Sequence, residues 1–129
     1  MLTNRSFAKR LAIPLVAAAL SGCGDDSTGP IACTEEFRYG ITIEVRDGAT
    51  GAGAAVGAEG TLTEGDFVEQ LMVFGDDTML GAGERAGTYD VLITKPGFED
   101  WTASRVTVTA DECHVHPVAL QANLVRVQN

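Results

Sequence analysis

The sequence predicts an all-β fold, an antiparallel β-sandwich of about seven strands that follows a cleaved signal peptide. Two features of residues 33–129 predict it. Apolar side chains recur at every second position, and turn-forming residues separate these runs about every 8 to 12 positions. No window of about eleven residues in this part shows the 3.6-residue period of a helix. We therefore expect one small domain of short strands.

The first strand is predicted from residue 37, where apolar side chains occupy the odd positions and mostly polar ones the even positions. Such alternation indicates a strand with one buried face. A loop rich in Gly and Ala, residues 47–55, follows it. The apolar positions of this strand are Phe37, Tyr39, Ile41, Ile43 and Val45.

The middle of the domain is predicted to hold a weaker second strand and a central third strand. Val56, Ala58 and Leu62 share one face of the second strand. Residues 67–74 (FVEQLMVF) are mostly apolar at both odd and even positions, which indicates a strand buried on both faces. After the next turn, residues 78–80 are expected to form a short edge strand.

Three further strands complete the predicted sandwich. The odd positions from Tyr89 to Ile93 are apolar, and a Lys-Pro-Gly turn leads into a strand over residues 98–109. The apolar residues of that strand change from odd to even positions at Ser104-Arg105, which predicts a β-bulge there. The buried face of the last strand is expected to consist of Val118, Leu120, Ala122 and Leu124.

Residues 1–22 have the pattern of an export signal. Arg5, Lys9 and Arg10 form a positive leader, and residues 11–20 (LAIPLVAAAL) form an apolar run. A membrane-spanning helix needs about 20 apolar residues, so this run is too short to span a bilayer. It fits the apolar part of a secretory signal peptide that is cleaved after export.

The stretch Leu20-Ser21-Gly22-Cys23 resembles the lipobox of bacterial lipoproteins. The resemblance implies that Cys23 carries lipid and becomes the mature N-terminus, because several acyl chains on one cysteine hold a protein stably on a bilayer. The alternative is an ordinary signal peptide with an incidental cysteine. We expect residues 23–32 to be the lipidated cysteine and a flexible tether. In many bacterial lipoproteins an aspartate directly after the lipidated cysteine retains the protein at the inner membrane. Here that position is Gly24, so we expect an outer-membrane location in the cell envelope.

Cys33 and Cys113 are the two cysteines that remain after Cys23 is assigned to lipid. An even pair in an exported chain predicts a disulfide, because the compartment outside the cytoplasm is oxidising. Two buried unpaired thiols or a metal thiolate site are the alternatives, and the second needs more ligands than these cysteines supply.

Two stretches carry a family resemblance. They are residues 45–51 (VRDGATG) followed by Gly57, and residues 87–91 (GTYDV) leading to Pro96-Gly97-Phe98. In this order they resemble the carboxypeptidase regulatory-like domains, which are transthyretin-like sandwiches of immunoglobulin-like architecture. The resemblance covers about residues 37–124 and implies a non-catalytic module that offers folding support or a binding surface. We expect residues 33–129 to form this module, alone on its lipid anchor.

Two aromatic residues have distinct expected roles. Tyr89 opens a strand behind Gly87, so we expect its ring inside the sandwich and its hydroxyl on a nearby backbone group. Trp101 is the only tryptophan. It is expected to pack in the core, or else to be exposed and contact a ligand such as a glycan or a peptide.

His114 and His116 are the candidates for a metal site. Separated by one residue, they face the same side of a strand, as pairs of metal-binding histidines do. A site would need further ligands, and the acidic residues nearby, Asp111 and Glu112, lie in a turn. The alternative is that Pro117 marks the rim of a sheet and leaves the histidines solvated or hydrogen-bonded to backbone.

The charge of the chain limits its partners. A formal charge of -9 repels phosphate backbones and anionic headgroups, so we expect no nucleic-acid binding and no electrostatic docking on membranes. The sequence has no nucleophile elbow, and we expect neither catalysis nor a cofactor. The hypothesis is a non-enzymatic envelope lipoprotein that contacts an unknown envelope protein or glycan. The alternative is a metal-binding lipoprotein that uses His114 and His116.

Overall fold

The computed structural model describes residues 29–129, and all regular structure in this part is β-strand. A first sheet has the strand order β4-β5-β1-β8 and a second sheet the order β3-β2-β6-β7. The predicted all-β sandwich is confirmed, with eight strands rather than about seven. None of the described residues forms a helix able to cross a membrane. The strands are β1 (Tyr39–Asp47), β2 (Glu59–Glu64), β3 (Phe67–Gln70), β4 (Met72–Phe74), β5 (Thr78–Gly83), β6 (Gly87–Thr94), β7 (Trp101–Val108) and β8 (Val118–Leu124).

The core lies between the inward faces of the two sheets. The alternation that predicted strands also identifies the buried side chains, because successive residues of a strand point to opposite faces. The predicted inward faces of β1, β6 and β8 are confirmed, although Tyr39, Val118 and Leu120 are only partly buried. Phe37 and Val56, which the sequence predicts in strands, lie outside them and are exposed. Fully or almost fully buried are Ile41, Ile43, Val45, Leu62, Met79, Tyr89, Val91, Ile93, Val108, Val115, Ala122 and Leu124.

One pairing departs from the antiparallel pattern. β1 pairs with β5 in antiparallel fashion but with β8 in parallel, in register from Ile41 opposite Val118 to Asp47 opposite Leu124. The first and last strands of the domain are thus direct neighbours that run in the same direction. Their N-terminal ends therefore lie at the same end of the first sheet.

The prediction of one central strand over residues 67–74 is wrong. This segment forms two short strands in different sheets, β3 beside β2 and β4 beside β5, and both are edge strands. The chain crosses between the sheets at Leu71, whose side chain is buried over Gly60 and Gly81. The apolar residues on either side of Leu71 are not buried on both faces. Val68, Met72, Val73 and Phe74 are exposed, and Phe67 is partly buried.

The prediction of a short edge strand at residues 78–80 is also wrong. β5 continues to Gly83 and lies between β4 and β1, inside the first sheet. The two errors have the same cause. An edge strand and an interior strand can have the same composition, since their positions depend on which distant segment pairs beside them.

The predicted bulge in β7 is confirmed. Tyr89 pairs with Val106 and Val91 pairs with Ala103, so Ser104 and Arg105 together oppose the single residue Asp90. Arg105 has a φ of 57°, and its amide donates to Asp90 Oδ1 at 3.0 Å.

Cys33 and Cys113 form the predicted disulfide, with 5.2 Å between their Cα atoms. It joins the segment before β1 to the turn that precedes β8. The predicted signal peptide, Cys23 and the tether as far as residue 28 lie outside the described residues. The remaining tether residues, 29–32, are exposed and form no strand.

Candidate functional site

The Asp111 carboxylate organises the turn that contains the disulfide and both histidines. Its Oδ1 accepts hydrogen bonds from the amides of Cys113 at 2.8 Å and His114 at 2.9 Å, and its Oδ2 lies 3.1 Å from His116 Nε2. These hydrogen bonds, first the one from the His114 amide, hold the pKa of Asp111 well below its usual range. The side chain acts as a local turn stabiliser.

The two histidine rings contact different groups. His114 is 10% exposed, with Nδ1 2.9 Å from Glu84 Oε1 and Nε2 3.1 Å from Thr34 Oγ1. His116 is 56% exposed, and its Nδ1 lies 3.3 Å from Thr109 Oγ1. Each ring nitrogen therefore has a neighbour within the fold, and the two rings do not converge on one point.

Glu84 links this turn to the start of β1. Its Oε1 accepts from the Arg38 amide at 2.7 Å as well as contacting His114, and its own amide donates to the Arg38 carbonyl at 2.9 Å. Burial raises the pKa of Glu84, but the hydrogen bonds from His114 and the Arg38 amide outweigh it and leave the pKa below its ordinary value. The arrangement is one of structural hydrogen bonds around the disulfide.

The donor set does not favour a metal centre in this turn. No group of three His, Cys, Asp or Glu side chains within residues 29–129 is placed to hold a metal ion. A protein zinc site usually uses at least three such ligands. The assignment of His114 and His116 to a metal stays a prediction that this geometry does not support.

Trp101 lies at the first position of β7, opposite the fully buried Ile93. Paired residues on neighbouring strands point to the same face, so the indole is on the inward side at the end of the second sheet. It is half-buried and packs against the core. A contact between Trp101 and a ligand stays a prediction.

The edge strand β4 consists of exposed apolar residues. We call these residues the apolar edge. The sequence analysis did not predict their exposure, although the apolar stretch of residues 67–74 was the signal. The members, with their exposed fractions, are Met72 (46%), Val73 (40%) and Phe74 (66%). Val68 of β3 is also exposed (60%), but it lies opposite Thr63 on the outer face of the second sheet.

β4 occupies the outer position of the first sheet and has β5 as its only strand neighbour among residues 29–129. Met72 lies opposite Leu80 and Phe74 opposite Thr78, so these side chains share the outer face of the sheet. Val73 lies opposite the buried Met79 and points toward the rim of the core. An edge strand of this kind leaves half of its backbone hydrogen-bonding groups without a strand partner.

The apolar edge lies in the most acidic part of the chain. The segment from Asp47 to Glu84 has eight acidic residues and no Lys or Arg. Arg46, just before it, is paired with Asp77 at 3.0 Å and with Glu44. Asp66 and Asp76 are exposed, one directly before β3 and the other two residues after β4. Four of the eight acidic residues contact an Arg or His side chain, but Asp66 and Asp76 have no such partner among the described residues, which leaves negative charge next to β3 and β4.

The outer face of the second sheet carries a different surface, a shallow depression of about 370 Å³. Hydroxyl-bearing side chains and one carboxylate line it together with an exposed leucine, so its surface is part polar and part apolar. The side chains that define it are Thr61, Thr63, Asp90, Leu92, Thr102 and Ser104.

Comparison with protein-family models and with curated proteins gives no significant match. The resemblance to carboxypeptidase regulatory-like domains therefore stays an expectation based on the residues that carry it.

Proposed function

We propose that this protein is a non-enzymatic lipoprotein of the cell envelope, attached through lipid on Cys23 at the outer membrane, and that its β-sandwich binds an envelope protein or glycan. The apolar edge carries the proposal. Soluble domains protect their edge strands with charges, prolines or bulges, or keep them very short. β4 is short, but it includes no charge, proline or bulge, and each of its three residues is exposed. An exposed apolar surface of this kind is typical of an interaction site.

Binding is favoured over catalysis by the way the polar groups of the described residues are used. The ring nitrogens of His114 and His116 and the carboxylates of Glu84 and Asp111 contact one another, threonine hydroxyls or nearby backbone. A general base must instead reach a substrate. No buried side-chain nitrogen or oxygen of the described residues lacks a hydrogen-bond partner.

The binding role is tested by introducing a photo-crosslinking residue at position 74, or in a separate variant at position 125, and irradiating intact envelopes. Val125 is 56% exposed and directly follows β8, the opposite edge of the first sheet. We expect a discrete adduct with one protein or glycan from position 74 and none from position 125. Absence of adducts from position 74, or the same adducts from both positions, contradicts binding through the apolar edge.

The anchor is tested by metabolic labelling with radioactive palmitate. The chain with the natural Cys23 should incorporate label and partition with membranes. The Cys23→Ser variant should do neither, because acylation requires the thiol of this cysteine. Undiminished incorporation by Cys23→Ser would refute the lipid assignment.

A further inference from the structure

The open side of β4 offers a backbone template in addition to apolar side chains. An extended segment placed beside β4 could pair with the hydrogen-bonding groups that β5 does not use, as in complexes formed by strand addition. The strand has three residues, Met72–Phe74, so the pairing would be short. Affinity must then come largely from side chains that flank the added strand.

The side chains of β4 prescribe a pattern for such a segment. Met72 and Phe74 project on the outer face of the sheet and Val73 on the other face. A strand added beside β4 would place alternate residues next to Met72 and Phe74. Apolar residues at these alternate positions would cover side chains that are now 46% and 66% exposed.

The surrounding charge selects against a second copy of the chain as the occupant. Each copy has a formal charge of -9 and would bring its own Asp66, Asp76 and neighbouring carboxylates to the interface. Like charges across a strand pair are destabilising. A stable dimer also buries about 1,200 Å² or more in total, which is more than three side chains and one short strand can supply.

The same charge favours a basic occupant. Of the eight carboxylates between Asp47 and Glu84, four contact an Arg or His side chain, and those of Glu59, Asp66, Glu69 and Asp76 have no such partner within residues 29–129. Lys or Arg residues between the apolar residues of an added strand would lie on the same face as Val73, at the rim between the sheets, where Glu69 accepts from the Ala82 amide of β5. They would meet negative charge that no Lys or Arg of the described residues neutralises. Complementary charge of this kind increases the association rate and the specificity of a complex.

We propose that the apolar edge binds an extended segment of another protein, in which apolar residues alternate with Lys or Arg, by adding it as a strand beside β4. This inference rests on the proposed binding function and specifies the partner of the same surface. The segment is unstructured before it binds and becomes the fifth strand of the first sheet. Because the paired stretch is short and the charges are exposed, the complex is weak and weakens further as salt is added.

The probe is a synthetic peptide of about eight residues in which Val and Lys alternate, titrated into the isotope-labelled full chain carrying Cys23→Ser. The readouts are amide chemical shifts and the dissociation constant. We expect shift changes confined to β4, β5 and the adjoining turns. A Val/Glu peptide of the same length should not bind, and a Val/Lys peptide with its valines grouped together should bind at least about tenfold more weakly, because alternation is lost.

Two lysine substitutions provide the matched comparison. Phe74→Lys should weaken binding of the Val/Lys peptide by about tenfold or more, because it removes an apolar contact and adds a like charge to the peptide. Val125→Lys introduces the same charge at a residue of similar exposure on the opposite edge and should leave binding unchanged. The melting temperature of each variant establishes that it is folded.

Several results would overturn the proposal. They are equal binding of the Val/Glu peptide, shift changes centred on β8 or β7, no binding of any peptide, and concentration-dependent shifts in β4 without peptide, which would indicate a second copy. Shifts in β4 caused by an envelope polysaccharide, with none caused by the Val/Lys peptide, would identify a glycan instead. If crosslinking from position 74 succeeds while the peptide does not bind, only the basic extended segment is refuted. Failure of both experiments refutes the binding function itself.

Discussion

A single side chain, Arg85, connects the aromatic residues at one end of the second sheet. Its guanidinium donates to the Tyr89 hydroxyl and to Glu64 Oε1, both at 2.9 Å, and lies 3.7 Å from the centre of the Phe67 ring. The Tyr89 hydroxyl in turn donates to the Arg85 carbonyl at 2.8 Å. The ring of Tyr89 is fully buried, so the predicted role of this tyrosine is confirmed. The contacts of Arg85 could not be predicted from the sequence, because no periodic pattern marks this residue.

Tyr89→Phe should lower the free energy of unfolding by about 0.5–1.5 kcal/mol, because it removes the hydroxyl that pairs with the Arg85 carbonyl and guanidinium. Urea denaturation measures this change. Tyr39→Phe is the matched control, since the Tyr39 hydroxyl has no hydrogen bond within residues 29–129 and the loss should be smaller. Equal losses in the two variants would mean that the buried hydroxyl contributes nothing specific.

The Asp47 carboxylate is held by an arginine side chain and a backbone amide. The side chain is 7% exposed and accepts from Arg126 Nε at 3.0 Å and from the Ala49 amide at 2.9 Å. The hydrogen bond from Arg126, followed by the one from Ala49, holds the pKa of Asp47 below its ordinary value. A carboxylate of this kind contributes stability above its unfolded pKa, about 3.9, and loses it as pH falls through the lower folded pKa.

Asp47→Asn should therefore melt at a lower temperature than the natural chain at pH 7, because the variant cannot form the ion pair. The difference should shrink below about pH 4, as the carboxylate of the natural chain becomes protonated. Thermal melts at a series of pH values test this. Asp66→Asn, at an exposed turn position, should change the melting temperature little at any pH. A difference for Asp47→Asn that does not depend on pH contradicts the assignment.

At the scale of elements, the crossing between the sheets depends on the fit of one leucine against two glycines. A Cβ added at Gly60 or at Gly81 would collide with the methyl groups of Leu71. The absence of side chains at these two positions lets Leu71 enter the interior at the point where the chain leaves one sheet for the other. That passage ends β3 and starts β4, and it leaves both strands at sheet edges.

Leu71→Ala should lower the free energy of unfolding by about 2–5 kcal/mol, because it removes a buried side chain and leaves a cavity. Gly81→Ala should destabilise the natural chain but cost less when combined with Leu71→Ala, because the collision with the Leu71 methyl groups is gone and only the contact with Leu62 remains. A double-mutant cycle measured by urea denaturation gives the coupling. Additive losses would show that the leucine and the glycine do not depend on each other.

At the scale of the whole molecule, the disulfide connects the two ends of the domain. Cys33 and Cys113 are 80 positions apart in the chain, and the strands that follow them, β1 and β8, are parallel neighbours. The cross-link therefore holds together the starts of β1 and β8, the paired strands of the first sheet that are farthest apart in the chain. Closing a loop of this size restricts the unfolded chain and is worth about 4 to 4.5 kcal/mol in the chain-entropy model.

Reduction should lower the melting temperature and the free energy of unfolding, by up to about 4 kcal/mol. The double variant Cys33→Ser/Cys113→Ser should show the same lower stability and no further change with reductant. In the Cys23→Ser background, alkylation after reduction should add two labels that are absent without reduction. Equal labelling before and after reduction, or unchanged stability, contradicts this role.

Much of the fold could be predicted from local patterns. The buried faces of β1, β6 and β8 follow from alternation, the bulge at Ser104-Arg105 from a change of parity, and the disulfide from an even cysteine pair in a chain predicted to be exported. The apolar edge could not be predicted in the same way. Residues 67–74 have the composition of a central strand, and only the packing of Leu71 shows that they divide between two sheets.

The sequence by itself determined the approximate positions of most strands, the buried face of β1, β6 and β8 and most of the turns, because these depend on side-chain period and on neighbouring residues. Tertiary structure alone decided the order of the strands, the parallel pairing of β1 with β8, and the exposure of β4 at an open edge. It also decided that His114 and His116 contact different partners. The physical reason is that an edge or a convergent site is created by segments far apart in the chain, whose pairing leaves no periodic trace in either segment.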